Sequence, residues 1–311
     1  MAHICRVTLQ ICRSLAIYDW DDLRVFLAVA RLKRVAPAAR ALGIDATTIS
    51  RRLTRLAIAL DAQLFEQVGP DRVLTQRGIA LLEHAEHAEG AALAALAEVK
   101  GERYRLEGHV RLSVAEGFGT WILAPALPAF HMEHPGINID VITASGFLNP
   151  SKREADMAVM LARPQRGDLH VQRLTDYRLH LYASKAYLAK HGSPTTRSAL
   201  SGHTLIGYVP EFLFSPELDY LDEIHTGLKA SLRSSSINIQ KHFVVDGAGI
   251  GVLPDFMVKE DDGIEPILGR EVELTRSFWL VTHSNLAKLA RIAAVSKLIW
   301  KQSETLLLHR C

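Results

Sequence analysis

The chain has 311 residues, of which 48% are hydrophobic and 23% charged, with a formal net charge of +2 at pH 7. This length predicts two or three domains, because a single hydrophobic core rarely keeps growing beyond about 250–300 residues. The composition excludes a disordered chain, and the lack of any uninterrupted run of about 18 apolar residues excludes a membrane-spanning protein.

The two ends of the chain carry little organised sequence. Residues 1–17 contain two arginines but no uninterrupted apolar segment, so we interpret them as an N-terminal extension and not as a secretory signal. The chain has three cysteines, Cys5, Cys12 and Cys311, whose number and spacing match neither a disulfide framework nor a zinc site. This cysteine usage is typical of a reducing compartment, and we expect a cytoplasmic location.

Residues 18–76 are predicted to form a small, mostly helical domain. The segment DDLRVFLAVA has apolar residues at helical spacing after a group of aspartates, which favour a helix start. A short second helix is predicted in VAPAARAL, where Pro37 is tolerated only in the first turn. Gly43 then supplies a turn, and Asp45 is the expected N-cap of a third helix over ATTISRRLTRLAIAL.

A hairpin and a long helix are predicted next. The segment LFEQVGPDRVLT contains two short extended pieces joined by a Gly-Pro-Asp turn, which predicts the wing of a winged helix-turn-helix. Thr75 can cap the following helix, which we expect to run to about Lys100 and to form a linker over residues 77–104. An interrupted apolar stripe predicts that this helix pairs with its copy, and it consists of Ile79, Leu82, Leu93, Leu96 and Val99.

The remaining sequence alternates between strand and helix signals. The segments HVRLSVA, INIDVITA, ADMAVML and RLHLYAS are predicted to be buried strands separated by helical segments. This alternation predicts an α/β domain over residues 105–303. The segment 288–307 is predicted to be helical, and residues 304–311 form a C-terminal tail.

Positive charge is concentrated in the predicted helical domain. Between Arg31 and Arg55 there are seven basic residues and one acid, Asp45, which gives this window a charge of +6. Basic residues neutralise DNA phosphates, and short polar side chains at a helix start can reach base edges in the major groove. A basic helix face exposed only to solvent would show the same spacing of basic residues. The adjoining wing favours DNA binding over this alternative.

Three segments resemble the DNA-binding domain of the LysR-type transcriptional regulators, namely DLRVFLAVA, AARALGIDATTISRRLTRLAIALDAQLFEQ and VLTQRG. The segments YASKAYLAKHG and VVDGAGIGVLP are similar to stretches of the second domain of that family, so the resemblance covers nearly the whole chain. It implies a linker helix for dimerisation and a two-lobed effector domain similar to periplasmic solute-binding proteins. It further implies a homodimeric or homotetrameric regulator that binds promoter DNA and responds to a small-molecule effector. The sequence contains no nucleophile elbow, P-loop or paired-cysteine motif, so we expect no catalysis, cofactor or metal.

The resemblance also assigns candidate DNA contacts. The start of the third helix is expected to contact base edges, and nearby arginines are expected to contact phosphates. The chain departs from the family pattern at Lys33-Arg34, where Gly-Ser is usual, at Ala46, where Gln is usual, and at Gln67, where Arg is usual. The first departure can exchange a helix cap for phosphate contacts. The candidate DNA-binding residues are Arg34, Thr47, Thr48, Ser50, Arg51, Arg52, Arg55 and Arg72.

A small-molecule site is expected where strands of the α/β domain end. The first strand ends in AEGFGTW, and parallel α/β sheets bind ligands at such strand-to-helix turns. By resemblance, two further short segments can line the same pocket, although short polar residues there can equally serve only as helix caps. An ionised Glu116 would repel a carboxylate ligand unless Arg163 or Arg233 neutralised it. The candidate effector-binding residues are Glu116, Gly117, Phe118, Thr143, Ala144, Ser145, Ser234, Ser235 and Ser236.

Two other motifs are weaker signals. The glycines between Gly247 and Gly251 lack the spacing of a dinucleotide-binding loop and predict a tight turn into a buried strand. His84 and His87 lie one helical turn apart, which is ordinary on the solvent face of a linker helix. The alternatives to a regulator are a small-solute-binding protein without a transcriptional role and an enzyme that uses the glycine-rich turn.

Overall fold

The computed structural model describes residues 19–99, 101, 104–143, 155–164, 169–213, 215–269 and 271–308. The chain divides between Ala97 and Glu98 into two compact units, which we call the head and the body. The predicted extension over residues 1–17 lies outside the described residues, as do Ala144 and Ser145. Within these ranges, the helices are all too short or too polar to cross a membrane.

The head contains the three predicted helices, the predicted hairpin and the predicted long helix. Its core is formed by buried side chains of the first three helices, among them Phe26, Ile49 and Leu56. Its elements are α1 (Trp20–Leu32), α2 (Val35–Leu42), α3 (Ala46–Ala59), β1 (Phe65–Val68), β2 (Asp71–Leu74) and α4 (Gln76–Val99).

Local capping explains where these helices begin and end. Asp19 caps α1, since its side chain accepts a hydrogen bond from the amide of Asp21 at 3.0 Å. The helix ends at Lys33, which adopts a left-handed φ of 59° in the position that favours glycine. Asp45 occupies the N-cap of α3, but its side chain makes no capping hydrogen bond, so this part of the prediction is wrong. Thr75 caps α4 as predicted, because its hydroxyl accepts from the amide of Gly78 at 3.0 Å.

The wing is an antiparallel hairpin, as predicted. Phe65 pairs with Leu74 and Val68 pairs with Asp71, so the turn consists of Gly69 and its neighbour Pro70. Asp71 therefore opens the second strand and is not part of the turn. The wing is attached to the turn between α1 and α2, because the amide of Arg72 donates to the carbonyl of Lys33 at 2.7 Å.

The body is an α/β unit, as predicted. Its helices are α5 (Glu116–Phe118), α6 (Leu127–Glu133), α7 (Lys185–His191), α8 (Leu221–Ile224), α9 (Ile237–Val245) and α10 (Ala290–Leu308), with a π-helical turn over Gly119–Leu123. Its strands are β3 (Gly108–Val114), β4 (Ile137–Ile142), β5 (Met157–Met160), β6 (Leu169–Ser184), β7 (Leu205–Gly207), β8 (Leu232–Arg233), β9 (Ile250–Pro254), β10 (Ile264–Ile267) and β11 (Leu274–His283).

Two long strands connect two lobes of the body. The strand order is β4-β3-β5-β11-β6-β9-β7-β8, and β10 also pairs with β6. The parallel strands β3, β4 and β5 lie on one side of the antiparallel pair β6 and β11, and the parallel strands β7, β8 and β9 lie on the other. The pair has a register shift between Phe278 and Trp279, where it passes from one lobe to the other.

The glycine-rich segment forms the predicted tight turn into a buried strand. Gly247 has a φ of 77°, and β9 is buried throughout. At Gly249 a side chain would bring its Cβ to 2.3 Å from the carbonyl oxygen of Thr204, so the close contact between these backbones requires glycine. These glycines therefore serve the packing of the second lobe.

Candidate DNA-binding surface and ligand cleft

The start of α3 presents the side chains that sequence reasoning assigned to base contacts. Thr47 and Arg51 are exposed, whereas Thr48 and Ser50 are partly buried. The Ser50 hydroxyl donates to the carbonyl of Ala46 at 3.1 Å, so it already has a partner within the helix. The opposite face of α3 carries Ile49, which is fully buried and fixes the orientation of this surface.

Two of the predicted phosphate contacts are held by carboxylates of α1. Nη1 of Arg52 lies 3.0 Å from Oδ2 of Asp21, and hydrogen bonds from Arg52 and Arg24 lower the pKa of Asp21. The Arg55 guanidinium donates to both carboxylate oxygens of Asp22, whose side chain is fully buried. This bond raises the pKa of Arg55. Both arginines thus connect α3 to α1, and a phosphate would have to share them.

Arg34 also has an internal partner, whereas four other cations of the head do not. Nε of Arg34 lies 2.6 Å from Oδ1 of Asp71 in the wing, although both side chains are exposed. Arg34 occupies the N-cap of α2 and makes no side-chain capping bond. Over the described residues 19–99, the lysine and arginine side chains with neither an ion pair nor a hydrogen bond are those of Lys33, Arg40, Arg51 and Arg72.

The body contains a cavity of about 230 Å³ between its two lobes. It lies at the carboxyl end of β3 and at the N-terminal ends of α5 and α9, the edge where α/β sheets bind ligands. Aromatic rings dominate its walls, and Tyr177 stacks on Phe278 with 4.3 Å between ring centroids. The aromatic lining residues are Phe118, Tyr177, Tyr208, Tyr220, Phe256 and Phe278.

The structure brings six of the nine predicted effector-binding residues to this cavity. They are Glu116, Gly117, Phe118, Thr143, Ser235 and Ser236. Ser234 does not line it, because its hydroxyl accepts from the amide of Ser236 at 3.1 Å and its carbonyl accepts from Gln240. Sequence reasoning missed the aromatic residues beyond Phe118, which come from strands and loops distant in sequence. No local sequence signal points to them, because Tyr177 and Phe278 lie within long strands and look like ordinary core residues.

Glu116 connects the two lobes across the cavity. One of its oxygens accepts from the hydroxyl of Ser236 at 2.8 Å and from the side-chain amide of Asn238 at 3.0 Å, and the other accepts from the backbone amide of Ile237 at 3.0 Å. These donors form the N-terminus of α9, where the helix dipole favours a negative charge. The carboxylate is therefore balanced by the N-terminus of α9. The sequence alone leaves Arg163 and Arg233 open as neutralising partners.

The tyrosines of the cavity are neutral. Burial raises the pKa of Tyr177 and of Tyr208 well above the usual value, and it also raises the pKa of Tyr220. The ring centroids of Tyr208 and Tyr220 lie 6.1 Å apart in an edge-on arrangement. Throughout the described part of the chain there is no group of three His, Cys, Asp or Glu side chains that could hold a metal ion.

Both units match known families. Residues 20–79 match the family described as "Bacterial regulatory helix-turn-helix protein, lysR family", and residues 104–303 match the "LysR substrate binding domain". The second match alone spans more than half of the chain. It includes the strands, the inter-lobe cavity and α9.

Curated relatives and solved structures agree with these matches. The chain is 28% identical over 268 residues to the Mau operon transcriptional activator of Paracoccus denitrificans, covering 86% of this chain and 90% of the relative. It is 28% identical over 279 residues to the regulator CrgA of Neisseria meningitidis serogroup C, covering 88% and 93%. The structure of CrgA from N. meningitidis aligns with 24% identity and a TM-score of 0.57 over 91% of this chain and 98% of that one, which shows a shared fold. A full-length OxyR variant from Pseudomonas aeruginosa aligns with 15% identity and a TM-score of 0.66 over 92% and 94%.

Proposed function

Because the chain belongs to the LysR family of DNA-binding transcriptional regulators, we propose that α3 carries its base contacts and that the inter-lobe cavity binds its effector. The observation that carries the first part is Arg51, an exposed cation without an ion pair in the described head, beside exposed Thr47. The cavity supports the second part, since a concave apolar pocket with a few convergent polar groups is typical of small-molecule sites.

On DNA, the N-terminal part of α3 lies in the major groove. Arg51 and the nearby threonines meet base edges, while Arg72 and Arg34 of the wing region meet phosphates. Arg52 and Arg55 act mainly by fixing α3 on α1 and contact phosphates only by sharing their aspartate partners. Phosphate binding by the unpaired cations breaks no internal bond, so it costs less free energy than phosphate binding by Arg52 or Arg55.

We further propose a homo-oligomer built on α4. Three large apolar side chains of this helix, Ile79, Leu96 and Val99, are exposed by 51%, 48% and 87%. Exposed apolar side chains on a long helix favour association with a second copy, and a pair of heads then meets two half-sites of the operator. The protein acts in the cytoplasm and has no catalytic step of its own. Effector binding changes DNA binding to the extent that it favours one arrangement of the lobes or subunits.

The experiment is DNA binding by the full-length protein over a salt series, on DNA from the region upstream of its own gene. We expect tight, sequence-selective binding that weakens with salt and is lost in the Arg51→Ala/Arg52→Ala double variant. The matched control is Lys185→Ala/Lys190→Ala, which removes the same charge from exposed positions of the body. Weak binding that is equal on all sequences and unchanged in the first variant would contradict the proposal.

A further inference from the structure

The inter-lobe cavity is large enough for a small aromatic molecule. Its volume is about 230 Å³, and an engineered apolar cavity of about 150 Å³ in another protein holds one benzene molecule. The difference leaves room for one ring with a short substituent. The cavity therefore has room for a single-ring compound.

The walls of the cavity favour an aromatic ring. Phe118, Phe256 and Phe278 surround Tyr177, with centroid distances of 4.9 Å for Phe118–Phe278 and 5.6 Å for Tyr177–Phe256. Both pairs are edge-on, and of the aromatic lining residues Phe256 and Tyr208 are partly exposed. Aromatic rings in these arrangements attract each other beyond their simple burial of apolar area.

The polar groups of the cavity are hydroxyls together with one carboxylate. Thr143, Ser235 and the neutral tyrosines can each donate or accept one hydrogen bond from a ligand hydroxyl. Among the lining residues that the structure describes, none is a lysine, arginine or histidine. Among the same described lining residues, Glu116 is the ionisable group apart from the tyrosines.

Glu116 places a negative charge where a ligand carboxylate would otherwise bind. The N-terminus of α9 supplies the hydroxyl of Ser236 and the backbone amide of Ile237, and Glu116 occupies both. A ligand carboxylate in the cavity would have to displace Glu116 or lie within a few ångströms of it. Two like charges at about 5 Å repel strongly when water is partly excluded.

We propose that this cavity selects small uncharged aromatic compounds that carry a hydroxyl group, and that Glu116 excludes aromatic carboxylates of the same size. This inference rests on the proposed role of the cavity as the effector site. Glu116 thus acts as an internal anion that accepts the hydrogen bonds of the α9 N-terminus. Its charge determines whether the cavity accepts neutral or anionic ligands. A ligand hydroxyl finds its partner among the tyrosine, serine and threonine hydroxyls.

The test is direct binding of three probes to the full-length protein without DNA, measured by titration calorimetry. The probes are phenol, benzoate and cyclohexanol. We expect phenol to bind at least about tenfold more tightly than benzoate, because of the charge of Glu116. We expect it to bind about three- to tenfold more tightly than cyclohexanol, because only phenol has a ring face.

Variants then assign this selectivity to particular side chains. In Glu116→Gln the ratio of phenol to benzoate affinity should fall to less than about threefold, since the amide keeps an acceptor but removes the charge. The control Glu265→Gln removes an exposed carboxylate on β10 and should keep the ratio of the unchanged protein. Phe256→Leu should weaken phenol binding about three- to tenfold and leave cyclohexanol binding nearly unchanged, because cyclohexanol has no aromatic ring to contact Phe256.

Two results would overturn the inference. The first is benzoate binding as tightly as phenol or more tightly, and the second is the absence of saturable phenol binding up to about 20 mM, a range that includes weak millimolar ligands. Both are measured on the unchanged protein, so they decide the matter even if Glu116→Gln fails to fold. Neither depends on DNA binding, so failure here is distinct from failure of the proposed function of the head.

Discussion

On α3 the side chain of Arg51 is exposed and has no ion pair within the described head, whereas in the cleft the carboxylate of Glu116 holds three hydrogen bonds. Both groups are charged, and both lie near the N-terminal end of a helical segment. They differ in what their charge already does within the folded chain. Arg51 is available to an external anion, and Glu116 is engaged in joining two lobes.

The presence or absence of an internal partner separates binding residues from structural ones within a single charged cluster. A charged group with an internal partner contributes to stability. An external ligand that binds this group must compensate for the internal bond that is broken. A charge without an internal partner contributes little to stability but offers its full interaction to a ligand. Within α3 itself, Arg55 belongs to the first kind, through buried Asp22, and Arg51 to the second.

The largest effect should follow from removing the satisfied charge in the cleft. Glu116→Ala leaves the hydroxyl of Ser236 and the backbone amide of Ile237 without their acceptor and removes one of the two acceptors of the Asn238 side chain. We expect the free energy of unfolding of the body to fall by about 2–3 kcal/mol, since hydrogen bonds to a charged group are at stake. Urea unfolding of the full-length protein at pH 7 measures this, with the body followed by near-UV circular dichroism.

A control on the surface distinguishes this effect from a general loss of negative charge. Glu265→Ala removes an exposed carboxylate of the same unit and should change the free energy of unfolding by less than about 0.5 kcal/mol. Equal effects of the two substitutions would show that Glu116 does not join the lobes.

The next effect concerns the unpaired charge of the head. Arg51→Ala should weaken binding to operator DNA by about 1–3 kcal/mol, the usual range for an arginine that reads a base. The same variant should change the free energy of unfolding by less than about 0.5 kcal/mol, because no internal bond is lost. DNA-binding titrations and thermal unfolding of the same preparations measure both quantities.

Arg52→Ala is the matched comparison one residue further along the helix. Its guanidinium is held by Asp21, so its removal should weaken DNA binding less than the Arg51 change and should lower the thermal midpoint of the head. Identical consequences for Arg51→Ala and Arg52→Ala would show that ion pairing within the head does not separate the two roles.

The head was largely predictable from sequence because its signals are local. Helical spacing, a glycine turn and the Gly-Pro turn of the hairpin each act over a few residues, and all three helices and the wing are confirmed. The pairing of Arg55 with Asp22 was not predictable in the same way, since the two residues are 33 positions apart. Whether a basic residue is paired depends on the packing of helices, which the charge pattern does not contain.

The cleft was less predictable because distant segments build it. The turn after β3 pointed to Glu116, but the partner Ser236 lies 120 positions away, and the sequence instead suggested Arg163 or Arg233. The aromatic walls come from several elements, and buried Tyr177 and Phe278 look like ordinary strand residues in sequence. Only the tertiary fold shows that these rings face a shared cavity.

A smaller effect should appear at high pH, through the neutral tyrosines of the cleft. Burial raises the pKa of Tyr177 and of Tyr208, whereas in the unfolded chain a tyrosine ionises near pH 10. Their contribution to stability is therefore complete below about pH 10 and is lost as the pH rises above it. The free energy of unfolding should fall by up to about 1.4 kcal/mol per pH unit for each tyrosine that stays protonated in the fold.

Urea unfolding between about pH 8 and pH 11 measures this decline. Tyr208→Phe removes one ionisable group from the cavity and should make the decline shallower, whatever its effect on stability at pH 7. An unchanged pH dependence in this variant would mean that Tyr208 ionises in the folded protein as readily as in the unfolded chain.

The smallest effect concerns Arg34, which combines features of both kinds of charge. It is paired with Asp71, yet both side chains are exposed, so the pair contributes little stability and remains open to a phosphate. It also occupies the N-cap of α2 without a capping bond. Arg34→Ser should therefore stabilise the head by about 0.5–1 kcal/mol through a new cap. If Arg34 contacts a phosphate, the slope of log affinity against log salt concentration should become shallower by about 1.

Thermal unfolding and a salt series of DNA binding, made on the same variant, separate these two contributions. Lys190→Ser in the body removes one positive charge without creating a cap, and it should change neither quantity. A less stable head with an unchanged salt slope would show that Arg34 acts through its ion pair with Asp71 and not through a phosphate. In that case the substitution of Lys33-Arg34 for the usual Gly-Ser pair serves the attachment of the wing, and the exposed cations that bind DNA are those without any carboxylate partner.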